Sequence, residues 1–149
     1  MEIQISVRNL VEFILRSGNI DNRRAVFSDN AMQEGGRIHR MIQRKMGADY
    51  HAEVFLRYLY ETSDYVIRVE GRADGVIVPE NQDCAKADAV TIDEIKGTYR
   101  DIHKMKEAVP VHLAQAQCYA YIYGSQNQLK GIGGTADLLQ HRHGGNQVF

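Results

Sequence analysis

The sequence lacks the features that mark several classes of protein. No apolar run approaches the length of about 20 residues that crosses a membrane, and no secretory leader pattern opens the chain. Only two cysteines are present, Cys84 and Cys118, and they lack C-x-x-C spacing, which argues against a zinc site or an iron–sulfur cluster. We therefore expect reduced thiols and a cytoplasmic protein with no membrane partner.

Proline is also scarce. With two prolines and 44% hydrophobic residues in 149, the composition predicts a globular chain with one sizeable core. The formal net charge of −1 indicates no particular partner. Basic residues nevertheless cluster in two segments, 37–45 and 96–106. Such a segment is either a solvent-exposed face or a surface that binds the phosphates of a nucleic-acid backbone.

The periodicity of the sequence predicts an α/β domain. Alternating β-branched segments predict strands at about 52–62, 65–78 and 89–97. Helices are predicted at about 7–16, 29–46 and 110–123, the last ended by Gly124. The predicted order is helix, helix, strand, strand, strand, helix, with helices flanking a central sheet.

The pattern ends after residue 130, so we divide the chain into a domain of residues 1–130 and a tail of residues 131–149. The tail is rich in Gly, His and Gln and has little apolar periodicity. One interpretation is a flexible terminus or a cloning scar. The other is a shift of reading frame that has replaced a native strand, which the coding DNA would reveal.

Two charged motifs lie on neighbouring predicted strands: Asp74 within Gly-Arg-Ala-Asp-Gly, and Glu94 with Lys96 in the next strand. Side chains two residues apart on a strand share a face, so Glu94 and Lys96 can meet there and Asp74 can join them. Two close carboxylates favour a divalent cation, and a metal-bound water beside a lysine is a hydrolytic nucleophile. The motifs predict a phosphodiesterase site. The alternatives are a turn aspartate and a solvated strand edge.

The order of these motifs resembles that of the PD-(D/E)XK nuclease superfamily, and most closely its RecB-type branch. The motifs are Gly35-x-x-x-His39, Asp74, Glu94-Ile95-Lys96 and Gln115-x-x-x-Tyr119. The resemblance covers about residues 33–123, and residues 5–12 are similar to nuclease domains fused to DinG-type helicases. It implies a restriction-endonuclease-like core with a mixed sheet, whose last strand is missing or disrupted here. Ala73 stands where the family name has a proline.

The resemblance implies a metal centre. His39, Asp74 and Glu94, with the backbone carbonyl of Ile95, would bind Mg²⁺ or Mn²⁺, and the imidazole would shift preference towards manganese. Lys96 would orient or activate the attacking water and steady the charge of the phosphorane. Glu34 is a further carboxylate that could join the shell or simply face solvent.

The resemblance also implies contacts to nucleic acid. Gln115 and Tyr119 would position its backbone, and the alternative is that this helix face packs on the sheet. Gln117 and Tyr121 fit the same spacing in a second register. We expect Arg37 and Arg100 to bind the phosphates of the nucleic-acid backbone.

The expected function is a metal-dependent deoxyribonuclease, an exonuclease or endonuclease of the DNA repair or recombination type. The expected partner is DNA, either single- or double-stranded. No Walker A motif is present, so strand separation would need a helicase domain or subunit as partner. The alternatives are a non-catalytic nucleic-acid-binding module, truncated from a larger helicase–nuclease, and an interaction scaffold whose charges lie on the surface.

Overall fold

A computed structural model describes seven parts of the chain: residues 1–16, 29–79, 90–97, 109–129, 136–137, 139–142 and 145–148. Three helices lie in these parts, α1 (Val7–Ile14), α2 (Asp29–Gln43) and α3 (Pro110–Gln126). The first strands are β1 (Glu2–Ser6), β2 (Tyr50–Glu61), β3 (Val66–Ile77) and β4 (Thr91–Asp93). The later ones are β5 (Lys96–Gly97), β6 (Ala136–Asp137), β7 (Leu139–Arg142) and β8 (Gly145–Val148).

Strand β3 is the centre of a five-stranded mixed sheet. Strand β2 pairs with it antiparallel, with one break in the ladder at Glu53 and Asp74. On the opposite edge, β1 pairs with residues 66–70 in parallel, and β4 pairs with residues 75–77 antiparallel. Strand β6 adds to β4 in parallel, while β5, β7 and β8 form a separate three-stranded sheet. The α/β architecture with a mixed sheet flanked by helices is therefore confirmed.

The two strands that share one edge of β3 leave a gap between them. In the described parts of the chain, no strand pairs with residues 71–74 of β3 on this edge. Buried backbone N–H and C=O groups require partners, so side chains must take over here. The hydroxyl of Tyr119 on α3 lies in this gap, against Gly71 and near the backbone of Arg72. The gap also contains Asp74, which makes it the place where the predicted site lies.

Helices α1 and α3 cover one face of the sheet and close the core. The core contains apolar residues from both helices and from three strands, namely Val7, Leu56, Ala73, Val76, Val90, Ile92, Ala116, Tyr119 and Ile122. Ser6 caps α1, since its hydroxyl accepts a hydrogen bond from the N–H of Asn9. Among the helices described, none combines the length and apolar character that a membrane crossing needs.

Several predicted elements need correction. The predicted order lacked β1, a short strand that precedes the Ser6 cap. Helix α3 does not end at Gly124 but continues to Gln126, because a glycine costs a helix only about 1 kcal/mol and Gly124 is buried. The predicted strand 89–97 is broken, since Glu94 and Ile95 belong to no ladder. A strand after α3 does exist as β6, although it has only two residues.

Strands β2 and β3 form a hairpin with a loop of residues 62–65. The hydroxyl of Thr62 accepts hydrogen bonds from the N–H groups of Asp64 and Tyr65, which fixes the turn. Most of the basic segment 96–106 lies outside the described residues.

Gly71 allows α3 to approach the sheet closely. A Cβ atom at Gly71 would lie 2.6 Å from the hydroxyl oxygen of Tyr119 and 3.0 Å from its ring. We expect Gly71→Ala to displace this ring and to cost about 1–3 kcal/mol of unfolding free energy, measured by urea denaturation. Gly124→Ala is the matched control, because a Cβ there meets nothing within 4 Å. It should be neutral or add up to about 1 kcal/mol; equal losses in both variants would contradict the role of Gly71.

Candidate active site

Asp74 is the centre of the site, because three residues from two other parts of the chain bond to it. One carboxylate oxygen, Oδ1, lies 3.3 Å from Nδ1 of His39 on α2. The other, Oδ2, accepts a hydrogen bond of 2.7 Å from the backbone N–H of Ile95. The backbone carbonyl of Asp74 accepts one of 3.0 Å from Nε2 of Gln43. The hydrogen bond to Asp74 raises the pKa of His39 above its ordinary value, although burial acts against it.

Glu94 and Lys96 form an ion pair beside Asp74. Nζ of Lys96 lies 2.6 Å from Oε1 of Glu94, whose residue is only 1% exposed. The other oxygen, Oε2, is buried and has no hydrogen-bond donor among the described residues. Burial, and then the negative charge of Asp74, raise the pKa of Glu94 to about 7, while Lys96 and His39 oppose this. The structure thus forms two contacts, Glu94 with Lys96 and His39 with Asp74, which are close enough for their charges to influence one another.

Ile95 contributes to the site through its backbone. Its amide bonds to Asp74 and its side chain is fully buried. The chain leaves strand β4 at this point because the N–H of Ile95 is used by a carboxylate instead of by a neighbouring strand. The role of its carbonyl as a metal ligand stays a prediction.

Tyr50 and Asp93 lie next to the site and were missed by the sequence analysis. The Tyr50 hydroxyl donates a hydrogen bond of 2.8 Å to Oδ2 of the buried Asp93, and it lies 3.4 Å from the carbonyl oxygen of Asp74. Burial and this bond raise the pKa of Tyr50. A Cβ atom at Gly75 would overlap the phenol, so the glycine is what lets Tyr50 reach Asp93. The signal in the sequence was a glycine within a strand, which often marks a close approach.

Glu53 is a further acidic residue that the sequence analysis missed. The pairs Ala52↔Gly75 and Val54↔Ala73 place it opposite Asp74 across β2 and β3. Each of His39, Glu53 and Asp74 offers an oxygen or nitrogen atom within 4.8 Å of the others. This group differs from the predicted metal set, because it contains Glu53 in place of Glu94.

Gln115 and Tyr119 face the site but are buried behind it. They are 7% and 3% exposed, and the Gln115 side chain bonds to the Tyr119 hydroxyl. Burial, and to a smaller extent the charges of Glu94 and Asp74, raise the pKa of Tyr119. In this conformation their surface does not reach a large ligand, so their burial favours packing of α3 on the sheet. Their expected contact with nucleic acid stays a prediction.

The second register lies on another side of α3. Tyr121 is 42% exposed, and its ring meets that of Tyr58 edge to face, with centroids 5.4 Å apart. It lines an apolar groove together with Gln117, away from the carboxylates. Only the register of Gln115 and Tyr119 therefore adjoins the site.

The remaining predicted residues are placed as follows. Arg37 is exposed on α2. Arg100 and the side chain of Glu34 lie outside the described residues, so their roles stay predictions.

The donor set fits a divalent cation. Carboxylate oxygens and an imidazole are ligands that magnesium and manganese accept. The negative charges of Asp74 and Glu94 repel each other. In addition, Oε2 of Glu94 is buried without a hydrogen-bond donor among the described residues. A cation would relieve both conditions.

Comparisons with known proteins bear on the fold alone. No protein-family model matches the chain, and no curated protein does. A solved structure, "Crystal structure of SSO0001", is similar over 100% of this chain and 67% of its own, with a TM-score of 0.64 and 17% identity. At this identity the similarity shows that the α/β fold is shared.

The raised pKa of Glu94 predicts a pH-dependent stability of the metal-free protein. Well below pH 4.5 the carboxyl group is protonated in both the folded and the unfolded protein. Well above pH 7 it is ionised in both, and the folded state carries the full cost of burying the charge. Wild type should therefore lose up to about 3 kcal/mol relative to Glu94→Gln across this window, at about 1.4 kcal/mol for each pKa unit.

Urea denaturation in EDTA between pH 4.5 and 8 measures this difference. Titration of His39 occurs in both proteins and largely cancels. The exposed Glu61→Gln on β2 is the control and should follow wild type throughout. Parallel curves for wild type and Glu94→Gln would contradict the raised pKa.

Proposed function

We propose that this protein is a metal-dependent nuclease of the PD-(D/E)XK type that hydrolyses DNA phosphodiester bonds. The observation that carries the proposal is the meeting of Asp74, Glu94 and Lys96, with His39 on the far side of Asp74. A protein that only binds DNA has no use for buried carboxylates that would face phosphates.

The order of elements supports a restriction-endonuclease-like core. Helix α2 is followed by the antiparallel strands β2, β3 and β4, then by α3 and by β6, which is parallel to β4. This is the order that the resemblance to RecB-type nucleases implies, including a final strand. The similarity to a solved α/β structure is compatible with this assignment, although it concerns the fold alone.

The two oxygens of Glu94 have different uses in the proposed site. Oε1 holds the ammonium group of Lys96, and Oε2, which has no donor among the described residues, would be available to a cation held by Asp74 and His39. When bound, the cation lowers the pKa of a water molecule and polarises the phosphoryl oxygen. The N–H of Ile95 and the amide of Gln43 hold Asp74 in place, so that its carboxylate need not reorganise.

Lys96 is suited to act on the substrate itself. Its side chain is partly exposed although its ammonium group is fixed by a buried carboxylate. The ammonium group therefore presents a positive charge at the mouth of the site, where it can orient a water molecule and offset the charge of the phosphate. Arg37, exposed on α2, would meet the DNA backbone, and a helicase would supply strand separation.

Asp74→Asn tests the proposal on end-labelled single- and double-stranded DNA with Mn²⁺ or Mg²⁺. Asparagine keeps an oxygen for the N–H of Ile95 while it removes the charge. We expect cleavage by wild type with both ions, faster with manganese. Loss of a metal carboxylate is worth several kcal/mol, which corresponds to a drop of about a thousandfold in the mutant.

Two controls accompany this experiment. EDTA should abolish cleavage by wild type, and Glu61→Gln, prepared identically, should cleave as wild type does. If folded wild type binds DNA in a salt-dependent way without cleaving it, the protein is a binding module. If it neither cleaves nor binds DNA at low salt, a scaffold role takes the place of the nuclease.

Lys96→Met separates catalysis from metal binding. The ammonium group acts on water and phosphate, so its loss should lower the cleavage rate by about 10²–10⁴-fold. Removal of a nearby positive charge should leave the affinity for Mn²⁺ unchanged or higher. Single-turnover cleavage and Mn²⁺ titration measure the two effects. A variant that loses metal binding but keeps its rate at saturating metal would contradict this role of Lys96.

A further inference from the structure

We infer that Glu53 is a ligand of the divalent cation, acting with His39 and Asp74 on the open side of the site. The inference rests on the proposed metal-dependent function. Sequence motifs did not indicate this residue, because it lies in an ordinary-looking strand.

The first argument is the position of Glu53 in the sheet. The pairs Ala52↔Gly75 and Val54↔Ala73 place Glu53 across from Asp74, although the two residues form no ladder pair themselves. The carboxylate oxygens of both residues and a ring nitrogen of His39 lie within 4.8 Å of one another. One cation can therefore be reached by all three without a change of fold.

The second argument is that Glu53 is held ready near Asp74. The amide of Gln43 donates to Oε1 of Glu53 at 3.0 Å and also to the carbonyl oxygen of Asp74 at 3.0 Å. The other oxygen, Oε2, lies 3.7 Å from the exposed guanidinium of Arg72, which is a weak, solvated contact. The first bond places the carboxylate, while the second leaves Oε2 easily available to a cation.

The third argument is the balance of charge. The buried Glu94 brings a carboxylate oxygen, Oε2, with no hydrogen-bond donor among the described residues. Adding the half-exposed Glu53 gives three carboxylates against Lys96 and His39. Negative charges therefore outnumber positive charges in this set, and a divalent cation would balance them.

The backbone of Glu53 has an unfavourable conformation. Its φ is 56°, in the left-handed region that side chains other than glycine and asparagine rarely adopt. The strain breaks the ladder to Asp74, so the residue is kept here at a cost to the sheet. This makes glycine an informative substitution, because it relieves the strain and removes the carboxylate together.

The test is Mn²⁺ binding, followed by the electron paramagnetic resonance of the free ion, which requires no cleavage. We expect Glu53→Gln to lower the affinity for Mn²⁺ by at least about tenfold. Even the loss of a residue that only hydrogen-bonds to a metal ligand lowers metal affinity by about this factor or more. Glu53→Gly should lower it equally, while its metal-free Tm equals or exceeds that of wild type. Glu61→Gln, from the exposed end of the same strand, should bind as wild type does.

The outcomes separate this inference from the proposed function. Unchanged affinity in Glu53→Gln, with loss in Asp74→Asn, would overturn the role of Glu53 and leave the nuclease proposal intact. Wild-type affinity for Mn²⁺ in Glu53→Gly would also overturn the role of Glu53, since the backbone conformation at this position, and not the carboxylate, would then decide the affinity. Failure of wild type to bind Mn²⁺ at millimolar concentration would overturn both.

Discussion

The hydrogen bond from the N–H of Ile95 to the carboxylate of Asp74 is the interaction on which the site depends. A backbone donor that would otherwise continue the ladder of β4 is used by a side chain. The chain therefore leaves the sheet after Asp93, and the next two residues, Glu94 and Ile95, belong to no strand. Glu94 is turned into the interior and Lys96 folds back onto it. One bond thus orders the carboxylate, ends the strand and aligns the ion pair.

The same arrangement places charge where the hydrophobic effect alone would exclude it. Glu94 is as buried as the apolar side chains of Val76 and Ile92 on the neighbouring strands. Burial of a carboxylate is expensive unless it is paired, and Lys96 satisfies only one of its oxygens. Strongly shifted pKa values cluster at functional sites, where charged groups are held in fixed positions at a cost in folding stability. The apolar packing of α1 and α3 on the sheet must offset this cost.

The sequence predicted the parts of the fold and site that depend on local patterns. Alternation identified β2 and β3, and the spacing of Glu94 and Lys96 correctly implied that they meet, although the strand assumed to hold them is broken. Strand β1 was missed because five residues with two isoleucines are too short to distinguish from an approach to the Ser6 cap. Pairing of β6 with β4 is a long-range contact that no local pattern specifies.

Two site residues were unpredictable for a different reason. The position of Glu53 depends on a left-handed backbone that glutamate does not signal, and that of Tyr50 on the missing Cβ of Gly75. The strand glycines were visible in the sequence, but they indicate that something approaches closely without indicating what.

The gap between β1 and β4 has an evolutionary consequence. Tyr119 occupies that gap in place of a strand, since its hydroxyl lies near the backbone of Arg72 and its ring fills the space left by the missing Cβ of Gly71. A larger residue at Gly71 would overlap the tyrosine, and a smaller residue at Tyr119 would leave the gap unfilled. In related proteins that keep this gap, Gly71 and Tyr119 should covary, and lineages that fill it with a longer strand should be released from both at once.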